Sequence, residues 1–78
     1  MKPVVTEKAV MLIESQNVLT FETSKEKTKG EIKKEIEELF EVKVEKIRTI
    51  TRLNKKYAYI QLKKEFPAID LAMKLGLM

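Results

Sequence analysis

Apolar residues recur along this chain with two different periods, and the changes of period mark its elements. Ala9, Leu12 and Ile13 repeat at i, i+3 and i+4 behind Thr6, a residue suited to an N-cap, which predicts a short helix over residues 6–14. Residues 2–5 ahead of it offer a short extended segment, and Ser15-Gln16-Asn17 breaks the stripe. From Val18 the period falls to two. Leu19 and Phe21 take one side, Thr20 and Glu22 the other, as expected of a strand over 18–23. Thr28 followed by Glu31 has the spacing of a capping box and opens the strongest helical stripe, Ile32, Ile36, Leu39 and Phe40. Residues 43–52 are rich in Val, Ile and Thr and read as a second strand. Their apolar phase shifts between Val44 and Ile47, which predicts a bulge or a late strand start. A tight connection over 53–56 leads to a third strand, 57–62, with Ala58, Ile60 and Leu62 on one side, so that the two strands form an antiparallel hairpin. Pro67 suits the first turn of a last helix, with Ile69, Ala72 and Met73 facing inward and Gly76 ending it.

The order helix-strand-helix-strand-strand-helix predicts an α+β fold. Its split βαβ (ferredoxin-like) topology gives a small antiparallel sheet with helices packed on one side or both. At 78 residues the chain is expected to be one domain, 1–78. A domain of this size buries only roughly 60% of its unfolded-chain surface and must pack well. With 44% hydrophobic residues there is enough apolar material for a core. No apolar run approaches the ~20 residues a membrane-spanning helix needs, so no membrane insertion is expected. The start Met1-Lys2-Pro3-Val4-Val5-Thr6-Glu7 lacks the apolar run of a signal peptide, and a cytoplasmic protein is the expectation.

Composition then removes most chemistry. The chain has no Cys and no His, hence no disulfide, no thiolate site and none of the usual general base. Gly30 and Gly76 are the only glycines, too few for a phosphate-binding loop. Ser15 and Ser24 have no imidazole to activate them, and the adjacent Glu37 and Glu38 face different ways on a helix. A non-enzymatic module without cofactor or metal is the expectation.

The formal net charge of +4 is modest, but its distribution is uneven. Residues 24–34 carry +3, residues 35–41 carry −4 and residues 43–64 carry +7. Lys29, Lys33 and Lys34 open the main helix, whereas Glu35, Glu37, Glu38 and Glu41 close it, an order that opposes the helix dipole. A phosphate at the helix start, met by Lys25, Lys27, Lys29 and Lys33 and within reach of Thr28, accounts for that order. Simple pairing of Lys33 with Glu37 and Lys34 with Glu38 is the plainer account. On the hairpin, Lys46, Arg48 and Arg52 share one parity, and Lys55 and Lys56 lie near the tip beside Tyr57 and Tyr59. Cations and aromatics on an exposed sheet face suit RNA backbone contact and base stacking. An ordinary solvated strand with half-buried tyrosines is the alternative.

Two resemblances bear on the choice. Lys55-Lys56-Tyr57-Ala58-Tyr59-Ile60-Gln61-Leu62 is similar to the aromatic strand of RNA-recognition motifs, departing at Lys56, where Gly is expected, and at Leu62, where an aromatic is. That reading implies a free single-stranded RNA-binding module. Nearly the whole chain resembles the ribosomal protein L23 family of the large subunit, in its short archaeal form. The resemblance rests on Pro3-Val4-Val5-Thr6-Glu7-Lys8-Ala9, Asn17-Val18-Leu19-Thr20-Phe21, Thr28-Lys29-Gly30-Glu31-Ile32-Lys33, Leu39-Phe40-Glu41-Val42-Lys43-Val44, Ile47-Arg48-Thr49 and Lys56-Tyr57-Ala58-Tyr59-Ile60-Gln61-Leu62, in that order and spacing. Where the family often has two basic residues before the Ala, the second here is Tyr57. The resemblance implies a ribosome-bound structural protein that binds large-subunit ribosomal RNA beside the peptide exit tunnel and touches neighbouring ribosomal proteins. It also implies a part in the docking site for the signal recognition particle and the translocon, with Glu7 at the position of the family's acidic docking residue. Bacterial members carry a long hairpin extension into the tunnel, for which residues 53–56 are too short. RNA contact is expected at Lys25, Lys27, Thr28, Lys29 and Lys33, and at Arg48, Arg52, Lys55, Lys56 and Tyr57.

Overall fold

The computed structural model describes residues 2–76 and has the order β1 (Lys2–Pro3), α1 (Glu7–Gln16), β2 (Val18–Thr23), α2 (Lys29–Phe40), β3 (Val44–Arg52), β4 (Lys55–Leu62) and α3 (Ala68–Lys74). The sheet runs β1-β2-β4-β3 with every neighbouring pair antiparallel. β2 and β3 are therefore parallel, joined through α2, with β4 inserted between them: the split βαβ arrangement. The extended segment at the start becomes β1, which pairs Lys2 with Glu22 and Pro3 with Phe21. Proline is tolerated there because the strand is at the edge of the sheet.

Alternation assigns the faces. Leu19 and Phe21 of β2 and Ala58, Ile60 and Leu62 of β4 are buried against Ile32 and Ile36 of α2 and Ala68, Leu71 and Ala72 of α3. Leu19, Ile32, Ile36 and Ile60 are fully enclosed. The α2 stripe continues to Phe40, whose ring stacks on Phe21 at 6.4 Å between centroids. Leu39, expected on this stripe, is instead 64% exposed, because 32, 36 and 40 already fill the inward line before Glu41 ends the helix in the left-handed region. α3 differs in phase. Ala68, Leu71 and Ala72 face the core, whereas Ile69 and Met73 face outward. The cause is Asn17, whose Oδ1 accepts from the Ala68 amide at 2.5 Å and fixes which side of the first turn meets the sheet. Pro67 stands one place earlier than expected, as the N-cap.

The helix starts follow the sequence closely. Thr6 Oγ1 accepts from the Ala9 amide at 3.1 Å, and α1 runs on through Ser15 and Gln16 until Asn17 caps it in the left-handed conformation. At α2 the Thr28 hydroxyl accepts from the Glu31 amide at 3.2 Å while the Glu31 carboxylate accepts from the Thr28 amide at 3.4 Å. Thr28→Ala is expected to cost about 1 kcal/mol, read as a lower midpoint in urea unfolding with an unchanged slope. Among the described residues no helix is long and apolar enough to cross a membrane.

Candidate nucleic-acid interface

The basic face of the hairpin is produced by one inserted residue. Pairing of β3 with β4 slips between Val44 and Lys46, the bulge that the phase shift in the sequence predicts. Without it, Val44, Lys46 and Arg48 would point the same way, since side chains alternate with period two. With it, Val44 and Ile47 both turn to the core, and Lys46, Arg48, Ile50 and Arg52 turn to the opposite face.

Cross-strand partners complete that face. Arg48 lies opposite Tyr59, which lies opposite Thr20; Ile50 lies opposite Tyr57, which lies opposite Glu22; Lys46 lies opposite Gln61 and Arg52 opposite Lys55. The turn between the strands is residues 53–54, both with positive φ, the two-residue form that matches strand twist. Leu53 at its tip is 95% exposed. The strands are thus longer than the sequence pattern suggested, and Lys55 and Lys56 belong to β4. Lys55 sits on the open face, 3.5 Å from the Glu22 carboxylate. Lys56 shares its parity with Ala58 and Ile60 and leaves on the other side, where its Nζ donates to the Lys27 carbonyl at 2.6 Å. Among the described residues, Lys46, Arg48 and Arg52 have no carboxylate within 4 Å.

α1 borders the open face. Its Ile13 reaches the shared core, whereas Lys8, Leu12 and Gln16 line a groove with Val18, Tyr59 and the β3 cations. Tyr59 is one of the two tyrosines the sequence placed beside the cations, and Lys8 is a groove residue that the charge pattern did not single out. Lys8 lies two places from the N-cap of a separate helix, and only the way that helix crosses the sheet brings it here.

The second group of expected contacts lies around the β2–α2 loop and is more engaged. Lys27 pairs with Glu35, and Lys25 Nζ donates to Asn54 Oδ1 at 2.7 Å. Glu26 in the same loop has its carboxyl held below the usual range, first by its own backbone N–H and then by the Ser24 hydroxyl and the Lys25 charge. The first-turn amides of α2 already face the Thr28 hydroxyl and the Glu31 carboxylate. Lys29 and Lys33 are exposed beyond this cap. Glu37 accepts from the Val44 amide at 3.0 Å and takes no part in an ion pair with Lys33. The structure thus brings Arg48, Arg52, Lys55 and Tyr57 together on one face and gathers Lys25, Lys27, Thr28, Lys29, Lys33 and Lys56 elsewhere. Glu7 is exposed in the first turn of α1 and pairs with no cation of either group among the described residues.

A family model described as Ribosomal protein L23 matches residues 1–68. The chain is also 48% identical over 77 residues to the large ribosomal subunit protein uL23 of Methanothermobacter thermautotrophicus, a match spanning 97% of this chain and 90% of that relative.

Proposed function

The chain belongs to the ribosomal protein L23 family, of structural, non-enzymatic constituents of the large ribosomal subunit, and on that premise we propose that it acts as a single ribosomal RNA-binding domain beside the peptide exit tunnel. The observation that carries this reading is the open sheet face. Lys46, Arg48 and Arg52 stand there with no carboxylate partner among the described residues, next to Tyr57 and Tyr59. Backbone phosphates meet the cations and fix the orientation, and the tyrosines meet sugars or bases. Lys29 and Lys33 form a second, weaker contact at the exposed start of α2, with Lys25, Lys27, Lys56 and Thr28 shaping the surface behind it. The partners are large-subunit ribosomal RNA and neighbouring ribosomal proteins, so the protein is ribosome-bound in the cytoplasm.

A free single-stranded RNA module fits the face less well. β2 offers it Val18, Thr20 and Glu22, with no aromatic to continue the platform begun by Tyr57 and Tyr59. Sedimentation of the tagged protein through a ribosome gradient separates the two. Co-migration with large subunits is expected, and a protein that stays at the top while binding short single-stranded oligonucleotides would overturn the ribosomal reading.

The same proposal extends to the exit-site docking of the signal recognition particle and the translocon through Glu7. Its carboxylate is exposed in the first turn of α1, one place before the groove residue Lys8. Glu7→Ala is expected to leave incorporation into large subunits intact and to weaken binding of an exit-site factor about tenfold, measured on purified subunits. Unaltered factor binding would reduce Glu7 to an acid favoured by the helix dipole.

A further inference from the structure

We infer that the groove between α1 and the open sheet face receives a single unstacked nucleobase of the bound RNA, with its flanking phosphates held on the groove's cations. This rests on the proposed RNA-binding role and adds to it a specific subsite. Four cations line the groove, Lys8, Lys46, Arg48 and Arg52, and among the described residues no acidic one does. A groove so one-sided in charge suits a polyanion. The rest of its lining is of another kind. Leu12, Val18 and Ile50 are apolar, Tyr59 supplies an aromatic ring, and Gln61 an amide. Gln61 spends only a long 3.4 Å donor contact on the Gln16 carbonyl, so its amide oxygen and second N–H are left for a base edge. A groove that combines apolar side chains, one aromatic ring and an amide with four cations fits a flat heterocycle attached to phosphates better than a rod of duplex. Sequence-reading RNA contacts are of this kind, with bases splayed out and stacked on aromatic side chains.

The test uses the full chain and protein-free large-subunit ribosomal RNA of Methanothermobacter thermautotrophicus. Tyr59→Leu keeps the cross-strand apolar cover and removes the stacking face. Leu12→Trp fills the groove from the helix side. Each is expected to weaken binding about tenfold while leaving the salt slope unchanged, since no phosphate contact is removed. Chemical probing of the RNA is expected to show one nucleotide that becomes protected when wild-type protein binds and stays reactive with Leu12→Trp. Far-UV circular dichroism identifies a variant that has lost its fold, and the other variant then decides. Wild-type binding with neither variant weakened and no such nucleotide overturns the subsite while leaving the RNA-binding role standing. Absence of wild-type binding removes that role itself. A photo-crosslinker at position 12 that joins a ribosomal protein in assembled subunits would assign the groove to a protein neighbour and also overturn the subsite.

Discussion

Replacing Arg48 and Arg52 together by Glu is expected to lower the affinity for large-subunit ribosomal RNA about 100-fold in low salt, and to make the salt dependence shallower by about 1.4–1.8 in log–log slope. The slope follows from counterion release, each phosphate contact contributing roughly 0.7–0.9 depending on strandedness. The affinity loss follows because neither guanidinium has a carboxylate partner among the described residues to absorb the change, so the new charges face the phosphates directly. Stability is not expected to fall in parallel. Both side chains are exposed, and Arg52 lies directly opposite Lys55, so its replacement by Glu removes a like-charge pair and creates an opposite one. The companion variant, Lys29→Glu with Lys33→Glu, is expected to lose less, about fivefold, because the α2 start already holds the Glu31 carboxylate in its cap and an added phosphate there meets that charge. Equilibrium binding over a salt series measures both. Equal losses in the two variants would put the RNA at the helix start as much as on the sheet.

The reason for that ranking was only partly legible in the sequence. Parity along 46, 48 and 52 is a one-dimensional pattern, and it correctly put three cations on one face. The same rule separates Lys55 from Lys56. Proximity to the hairpin tip obscures it, since two adjacent lysines look like one cluster until alternation is applied up to the turn. The elements themselves were readable because local signals agreed: a threonine cap, a capping box, a phase shift that became the bulge. The misplaced residues are those whose orientation is fixed from a distance. Leu39 fits the helical stripe, yet Phe40 takes the inward position against Phe21 of β2. Ile69 and Met73 make as good a stripe as Leu71 and Ala72, and the choice between them is made by a hydrogen bond from 51 residues away. The groove is similar. Lys8 and Tyr59 become neighbours only through the crossing of α1 over the sheet, which no periodicity encodes.

That distant hydrogen bond belongs to the side chain with the largest structural role. Asn17 ends α1 in the left-handed conformation, with φ of 58°. Its Nδ2 faces the carbonyls of Leu62, Lys63 and Phe66 at 3.0, 3.3 and 3.2 Å, and its Oδ1 accepts from Ala68. One residue thereby joins the end of α1, the end of β4 and the start of α3. Asn17→Ala removes these bonds and puts an alanine into a backbone region it disfavours by about 1 kcal/mol. With a net value of about 1 kcal/mol for each of the two donor hydrogens and less for the partly exposed remainder, the expected loss is about 3 kcal/mol. In a domain of this size that is about 12–24 °C in melting temperature, and a large share of a total near 4–12 kcal/mol. Asn17→Gly keeps the backbone conformation and is expected to lose about 2 kcal/mol, so the difference between the two isolates the backbone contribution. Asn17→Asp sharpens the assignment further. A carboxylate there still accepts from Ala68 but faces three carbonyls as an anion, whereas its protonated form donates as the amide does. Its folded-state pKa is therefore raised, so stability is present below the unfolded pKa and is lost as pH rises through the folded one. Urea unfolding across that range is the measurement. A pH-independent Asn17→Asp, or an Asn17→Ala loss below about 1 kcal/mol, would mean that water replaces the side chain at this junction. The angle between α1 and the sheet, and with it the groove, would then be held by Ile13 and the core alone.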